Sequence, residues 1–570
     1  MAPCIGIDLG TTNSLAGLHR DGGTRLFPNA LGSALTPSCV SLLDGKIVVG
    51  QAALDRLHTH PESSAGLFKR IMGTERHLTL DGQQYRPEEL SSFVLRALKA
   101  DAEAALGETI EEAVITVPAY FSDAQRKATK AAGALAGLRV ECLLNEPTAA
   151  ALAYGLQDMP SDSQFLVFDL GGGTFDISVL DWFEGVMEVR ASAGDNFLGG
   201  EDFNTALMEH CLAQWKIPLD AVMRDRYSWQ RLNSAVERAK RKLSASSRDE
   251  GAQVEWEWEG APVNCVVTPD EFAHVVQPLL DRLRTPIERA LRDSRIRPSE
   301  LSHVVLAGGA TRMPLIRKLV AQLFGKIPTM HINPDEVVAV GAAVQACLKS
   351  DKRNVQELVL TDVCPYTLGV DTTVRINGRH VAGYFSPIIE RNTPVPVSRV
   401  ESYWTISEQQ KVMHFEIFQG ESRFIEDNIR IGEIRIPIPP RDAGEICVEV
   451  RFTYDVSGIL ECEFHVPVTG ERTRLIIEQN PGVMSEEDIA RRFAELSVIK
   501  LHPREEARNV ALMARAKRLY EQELGERREF IAHLIASFEG ALDSQDRQEI
   551  LEVGHTLSDY LDEMEANGYF

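Results

Sequence analysis

The chain has 570 residues, 44% of them apolar and 25% charged, which is the composition of a folded protein too long for one core. At ~100–200 residues per domain, three to five units are expected. A formal net charge of −23 is the opposite of the balance a duplex or RNA binder carries, which disfavours nucleic acid as a main partner.

Nine cysteines (Cys4, Cys39, Cys142, Cys211, Cys265, Cys347, Cys364, Cys447 and Cys462) are scattered without a C-x-x-C pair. That pattern predicts reduced thiols and a cytoplasmic setting. Met1-Ala-Pro-Cys-Ile5 lacks a basic stretch followed by an apolar one, so no signal peptide is expected. No apolar run approaches the ~18 residues of a membrane span, so no membrane partner is expected.

Up to about residue 350, short apolar runs at 4–7, 113–117, 165–168 and 304–307 are each followed by Gly, Pro or Asp. They read as buried strands of an α/β sheet. Alanine-rich stretches at 124–136 and 149–153 read as intervening helices. The polar segment Ser350-Asp-Lys-Arg-Asn-Val-Gln-Glu357 reads as a linker. Beyond it, Ile446, Val448, Val450, Phe452 and Tyr454 alternate with Cys447, Glu449, Arg451 and Thr453. After the turn at Asp455-Val-Ser-Gly458, Leu460, Cys462, Phe464 and Val466 alternate again, predicting an antiparallel hairpin with one wet face. A capping-box-like start at Ser485-Glu-Glu-Asp488 precedes Ile489, Phe493 and Leu496 at helical spacing, and Pro503 opens a further helical stretch. The expected organisation is an α/β domain over 1–352, a linker over 353–362, an antiparallel β domain over 363–484 and helices over 485–570.

Four segments carry chemistry. Asp8-Leu-Gly-Thr-Thr-Asn-Ser14 comes directly after an apolar strand. The amides and hydroxyls of Gly10, Thr11, Thr12 and Asn13 can cradle phosphates, and Asp8 suits the water shell of Mg²⁺. An ordinary β-turn with hydroxyl caps would read the same. Phe168-Asp169-Leu-Gly-Gly-Gly-Thr-Phe-Asp176 repeats that form after a second strand. The repeat predicts two pseudo-equivalent lobes closing on one polyphosphate from opposite sides. Val304-Val-Leu-Ala-Gly-Gly-Ala-Thr-Arg312 ends a third strand in two glycines that permit close approach, with Arg312 suited to stacking on a base. In Glu237-Arg-Ala-Lys240-Arg241-Lys-Leu-Ser244, the residues Glu237, Lys240, Arg241 and Ser244 share a helix face. By spacing alone that face is simply solvated. The chain has no G-x-x-x-x-G-K-[S/T], G-x-G-x-x-G, H-E-x-x-H or G-x-S-x-G motif.

Residues 5–14, Val117-Pro-Ala-Tyr-Phe121, Asn145-Glu-Pro-Thr-Ala-Ala-Ala151, residues 169–178, Leu198-Gly-Gly-Glu-Asp-Phe203 and Ile332-Asn-Pro-Asp-Glu336 closely resemble the DnaK-type 70-kDa heat-shock chaperone family. The resemblance covers about residues 1–500. The length and Phe385-Ser-Pro-Ile-Ile-Glu-Arg-Asn392 resemble the shorter HscC-like branch. It implies an actin-like (ribonuclease-H-like) two-lobed ATPase, a β-sandwich peptide-binding domain and a short α-helical lid. The implied function is an ATP-dependent chaperone that binds and releases extended apolar segments of unfolded proteins.

By the same resemblance, Thr11, Thr12, Asn13, Gly171, Gly172, Gly173 and Thr174 hold the phosphates of ATP or ADP. Asp8, Glu146 and Asp169 hold Mg²⁺ through water, and K⁺ is a further candidate ion. Lys69, in Leu67-Phe-Lys-Arg70, resembles the catalytic lysine, which otherwise reads as a surface residue. Glu146, Asp169 and Thr174 orient the attacking water. Gly199, Gly200, Glu237, Lys240, Arg241, Ser244, Gly308, Gly309, Arg312 and Asp335 line the nucleotide pocket. Pro118 and Arg126 match relay positions. Leu358-Val-Leu-Thr-Asp362 resembles the docking linker, with Thr361 interrupting its apolar run. Val370, Thr372, Tyr403, Trp404, Ile406, Met413, Phe415 and Ile459 match pocket and arch positions of the peptide clamp. Trp404 and Met413 are bulkier than the family pattern, which predicts a narrower peptide choice.

Two departures bear on partners. Cys142 stands where the family usually has an arginine that engages a J-domain co-chaperone, so a J-domain partner is expected to bind in a non-standard way. Glu255-Trp-Glu-Trp-Glu-Gly-Ala-Pro262 is shorter than the loop used by nucleotide-exchange factors, which leaves that partner open. Two other classes share the fold: a small-molecule (sugar) kinase and a nucleotide-dependent filament. Both leave residues 363–570 without a role.

Overall fold

The computed structural model describes residues 3–155, 163–245, 251–350, 359–455, 460–477, 507–522 and 526–566, and Gly458, apart from 21, 184–185, 330 and 377–378. It is a mixed α/β chain of two compact units, Met1–Tyr366 with Arg391–Pro394, and Thr367–Glu390 with Val395–Phe570.

In the first unit one sheet runs Arg139–Asn145, Glu112–Val117, Cys4–Leu9, Asn13–Arg20 and Gly23–Leu26, with Thr36–Pro37 also paired to Asn13–Arg20. Cys4–Leu9 is parallel to Glu112–Val117 (Ile7↔Ile115) and antiparallel to Asn13–Arg20 (Asp8↔Leu15). The second sheet repeats the arrangement. Ser163–Leu170 is parallel to His303–Ala307 (Asp169↔Ala307) and antiparallel to Phe175–Phe183 (Asp169↔Asp176). Each aspartate therefore sits at the end of a strand held between a parallel neighbour and its own hairpin partner. These strands are apolar along their whole length because both faces are covered: Ile5, Ile7, Phe165, Val167 and Phe168 are fully buried.

The alanine-rich runs are helices Asp123–Leu135 and Glu146–Gly155. Glu146–Gly155 packs on helix Val337–Ser350 so closely that a Cβ on Gly341 would lie 1.7 Å from the Ala149 carbonyl oxygen. The segment Glu255–Pro262 lies in a hairpin, Ala252–Trp258 against Ala261–Val267, turned at Glu259 (φ 49°) and Gly260 (φ 79°). Two consecutive left-handed residues give the tight turn such hairpins favour. The linker residues from Val359 form strand Val359–Val363, parallel to Val186–Asp195 with Val186↔Val359 and Glu188↔Thr361. Leu358 lies outside the described residues.

The second unit has two four-stranded antiparallel sheets. One runs Arg379–Ile389, Leu368–Ile376, Val412–Gln419 and Ile429–Pro437; the other runs Val397–Trp404, Cys447–Tyr454, Leu460–Val466 and Glu471–Ile477. The alternating set Ile446, Val448, Val450, Phe452, Leu460, Cys462, Phe464 and Val466 is buried. The opposite face of this hairpin is not uniformly wet as the alternation predicts. Thr453, Glu461 and Glu463 are buried there too. Leu460–Val466 is a central strand, and polar neighbours close over it: Arg472 donates to Glu463 (3.1 Å), and Ser398 bonds Thr453 (3.0 Å). Helices Ala507–Gln522, Glu526–Ser544 and Arg547–Ala566 share a core of Leu519, Ile531, Leu534, Phe538, Leu557 and Leu561. The predicted starts at Ser485 and Pro503 lie outside the described residues. Among the described residues no helix is long and apolar enough to cross a membrane.

Candidate active site

Strand ends and a helix start bring four acids together in the first unit. Asp8 and Asp169 end their strands, Asp176 faces Asp169 across its hairpin, and Glu146 opens the helix after strand Arg139–Asn145. Lys69 enters from the short helix Phe68–Ile71, reached through Leu67 in the left-handed region (φ 57°). A leucine held there is strained, a cost that persists where surrounding structure fixes a functional position. The Lys69 Nζ donates to Glu146 Oε1 at 2.7 Å, with the lysine 3% exposed, and lies 5.5 Å from the centroid of the Phe121 ring.

One lysine faces four carboxyls away from water, and the electrostatics show the excess. Burial, with repulsion from Glu146, pushes the Asp8 carboxyl up to about 7 despite Lys69 and the Thr116 hydroxyl donating at 3.0 Å. Burial and Glu146 also push Asp176 up to about 7, against the pull of the Tyr120 amide. Asp169 is raised well above the usual carboxylate range by burial, then by Glu146. Such a surplus of negative charge fits a cation. Among the described residues no three His, Cys, Asp or Glu side chains are grouped so as to ligate an ion directly. An ion here would be held through its water shell, which suits Mg²⁺.

The two predicted loops meet. A Cβ on Gly172 would lie 2.4 Å from Thr12 Cγ2, and one on Gly173 2.7 Å from Thr11 Cγ2. The Gly171 amide donates to the Thr174 carbonyl (3.0 Å). Helix Gly200–Trp215 starts against this loop: Gly200 N donates to Gly171 O and Glu201 N to Gly172 O, both at 2.9 Å. A Cβ on Gly199 would lie 2.5 Å from Gly173 N. The positive end of that helix thus faces the loop. Gly10 and Asn13 bracket the turn between the first two strands.

A further wall comes from Gly308, Gly309, Arg312 and Asp335. The Gly308 amide donates to Pro334 O (2.9 Å), and Arg312 Nε donates to Asp335 Oδ2 (2.8 Å). Helix Arg226–Ala245 carries Glu237, which pairs with Lys240 (2.7 Å) and Arg241 (2.6 Å), while Ser244 donates to the Lys240 carbonyl (2.8 Å). The face that spacing alone reads as solvated is not so at Lys240, which is buried and donates to Gly200 O at 2.8 Å.

Sequence reasoning passed over Asp176, Arg70 and Asp202. Asp176 lay inside a quoted motif without a role. Arg70 donates to Gly173 O (3.2 Å) and pairs with Asp202, which accepts from the Gly199 amide (2.7 Å). Its only signal was its place beside Lys69. Arg126 donates to Asn145 Oδ1 (2.6 Å) and to the carbonyls of Ala119 (2.9 Å) and Phe121 (3.2 Å); Pro118 precedes that segment.

In the second unit Val370, Met413 and Phe415 are buried, Thr372 and Tyr403 half-buried, and Trp404 and Ile406 exposed. Tyr403 packs edge-on to Phe415 (5.6 Å) and donates to Ser386 Oγ (2.9 Å). The register Val370↔Ile417 and the hairpin Leu368–Ile376/Arg379–Ile389 put exposed Ile376, Val381 and Val412 at one end of their sheet. A short loop joins Val412 to Trp404 and Ile406. Ile459 lies outside the described residues.

A buried lysine–carboxyl centre between two glycine loops is the kind of centre a phosphoryl-transfer protein carries. The chain matches the family model described as Hsp70 protein over residues 4–568. It is 40% identical over 497 residues to the chaperone protein DnaK of Thermotoga neapolitana, covering 85% of this chain and 82% of that relative. The chaperone proteins DnaK of Thermotoga petrophila and Thermotoga maritima match at the same identity and coverage. The chain belongs to the Hsp70 family. It is an ATP-dependent molecular chaperone and an ATPase; the sugar-kinase alternative has no support.

Proposed function

We propose that residues 1–352 form an actin-like ATPase whose nucleotide state, passed through the linker 353–362, gates an apolar peptide clamp over 363–484 under a short helical lid over 485–570. The observation that carries this reading is the buried Lys69–Glu146 ion pair between the Asp8 and Asp169 loops. The amides and hydroxyls of 10–13 and 171–174 hold the polyphosphate. Asp8, Glu146 and Asp169 would hold Mg²⁺ through water, and the ion would supply charge neutralisation to the phosphates. Lys69 keeps a fixed positive charge at the cleft floor, and Glu146, Asp169 and Thr174 orient water toward the terminal phosphate. The pre-set ion pair and hydrogen bonds need no reorganisation at the moment of reaction, which is where such sites gain rate. Gly199, Gly200, Glu237, Lys240, Arg241, Ser244, Gly308, Gly309, Arg312 and Asp335 enclose the rest of the nucleotide; K⁺ is a second ion for the acid cluster.

Extended clients are held by Val370, Thr372, Tyr403, Trp404, Ile406, Met413, Phe415 and Ile459, of which Trp404 and Ile406 are exposed. Length and the segment 385–392 favour the HscC-like branch. Cys142 favours a non-standard J-domain contact, and the two-residue turn of the 252–267 hairpin favours a non-standard exchange factor. The cytoplasm is the proposed compartment. Fluorescence anisotropy of a labelled apolar peptide in ATP and in ADP tests the gate. Tighter or longer-lived binding in ADP is expected, lost in Thr174→Ala and on truncation before Leu358. Equal binding in both states would overturn the gating.

A further inference from the structure

Two of the nine cysteines, far apart in sequence, meet in the first unit. Cys211, on helix Gly200–Trp215, and Cys265, on strand Ala261–Val267, have their sulfur atoms 3.1 Å apart. A disulfide places them ~2.05 Å apart, so closure by about 1 Å completes the bond. Three tryptophans hold the hairpin against the helix end. Trp215 and Trp256 rings stack at 6.0 Å, Trp256 and Trp258 lie 5.2 Å apart, and Trp215 Nε1 donates to Asn264 O at 3.0 Å. The thiols are thereby held in register before any oxidation. Cys265, at 8% exposure against 0% for Cys211, is the one nearer solvent and meets the oxidant first.

We propose that Cys211 and Cys265 are a disulfide-forming pair that closes reversibly under peroxide and staples the 252–267 hairpin to helix Gly200–Trp215. The Cys265 thiolate attacks one peroxide oxygen and breaks the O–O bond, giving a sulfenic acid and hydroxide, which becomes water. The Cys211 sulfur then attacks the Cys265 sulfur; its proton leaves with the expelled oxygen as a second water. Two thiols are oxidised by two electrons, and one hydrogen peroxide becomes two waters. A small dithiol returns the pair to its reduced form. Disulfides in reducing compartments are usually transient devices of this sort.

The consequence lies in the stretch between the two cysteines. It contains helix Arg226–Ala245, which bears Glu237, Lys240, Arg241 and Ser244 and is tied to Gly200 by Lys240. That helix, the hairpin and helix Gly200–Trp215 bury side chains in one apolar core, so they are one packed body that the bond staples. The disulfide restrains the unfolded chain between the two cysteines and thereby raises the stability of this body.

The test treats the full-length protein with hydrogen peroxide, alkylates it and maps it by mass spectrometry. Tryptophan emission and the thermal unfolding midpoint are followed before and after dithiothreitol. A peptide joining 211 to 265, quenched emission and a midpoint raised by about 3 °C or more are expected. All three should reverse with dithiothreitol and be absent in Cys211→Ala and Cys265→Ala. Recovery of both cysteines as alkylated thiols would overturn the pair. A formed disulfide with an unchanged midpoint would overturn the staple.

Discussion

Binding of a preformed Mg²⁺·ADP complex should expel protons from the first unit, in an amount that falls with pH. Asp8 and Asp176 both lie at about 7, so at pH 7 each carries about half a proton. A cation held through water about 4 Å away contributes about 4 kcal/mol per unit charge at an effective dielectric of ~20, and ~1.4 kcal/mol already shifts a proton equilibrium tenfold. Both acids then ionise fully. The share from these two acids is about one proton at pH 7, nearly two at pH 6 and about 0.2 at pH 8, and Asp169, raised further, adds to it. Titration calorimetry in buffers of different ionisation enthalpy reads the number directly. Asp176→Asn should lower the release at pH 7 by about half a proton or more. No buffer dependence at pH 7, or a release that grew between pH 6 and 8, would refute the reasoning. Stability carries the matching sign. These carboxyls are raised in the folded state, so between about 4 and 7 the folded protein holds protons that the unfolded chain has lost. Stability of the ligand-free protein should therefore fall as pH rises through that window, and Mg²⁺·ADP should flatten the decline.

Lys69→Met leaves a cluster of four acids without the lysine's charge; single-turnover ATP hydrolysis should fall about 10²–10³-fold with nucleotide affinity changed far less, and a loss below threefold would remove Lys69 from the chemistry. Gly341→Val forces a side chain into the Ala149 carbonyl, so the urea midpoint should drop by the equivalent of about 3 kcal/mol, while an unchanged midpoint would mean the two helices do not meet there. Gln545, in the turn after Glu526–Ser544, donates to Val400 O (3.1 Å) and accepts from Val400 N (3.4 Å) at the edge of a sheet. Gln545→Ala should raise hydrogen exchange at the Val400 amide by the equivalent of about 1–2 kcal/mol without touching ATP hydrolysis; unchanged protection would show that the turn does not hold the edge.

What the sequence discloses here is what depends on local pattern. Doubly covered strands announce themselves as unbroken apolar runs, and the sandwich hairpin as a period of two. The paired Asp–Gly loops are visible because a repeat is a property of order along the chain. The hidden features all depend on neighbours brought from far away. Spacing puts Lys240 on a polar face but says nothing of Gly200 beneath it. Glu461 and Glu463 alternate outward as a wet face should, yet they are buried because their strand is central and its neighbours' charges close over it. Asp176 looks like one more residue of a motif until its hairpin sets it opposite Asp169. Cys211 and Cys265 have no spacing that would pair them.

The linker shows how a local departure can matter less than sequence suggests. Thr361 interrupts an apolar run, which in side-chain terms weakens docking. Strand addition is made by backbone, however, and Thr361 pairs with Glu188 as regularly as Val359 does with Val186. The next residue along the strand matters more. Asp362 is half-buried, its carboxyl raised by loss of surrounding water, and it accepts from Asn145 Nδ2 at 2.6 Å. Asn145 in turn accepts from Arg126 at 2.6 Å and immediately precedes Glu146, the partner of Lys69. The linker strand is thus fastened one residue from the ion pair at the centre of the cleft. A short, partly buried hydrogen-bond chain runs from beside the Lys69–Glu146 pair to this strand, and a polar chain of this kind is costly to leave half-satisfied. On the proposed gating, that cost, more than the apolarity of residues 358–360, would tie this strand to the contents of the cleft.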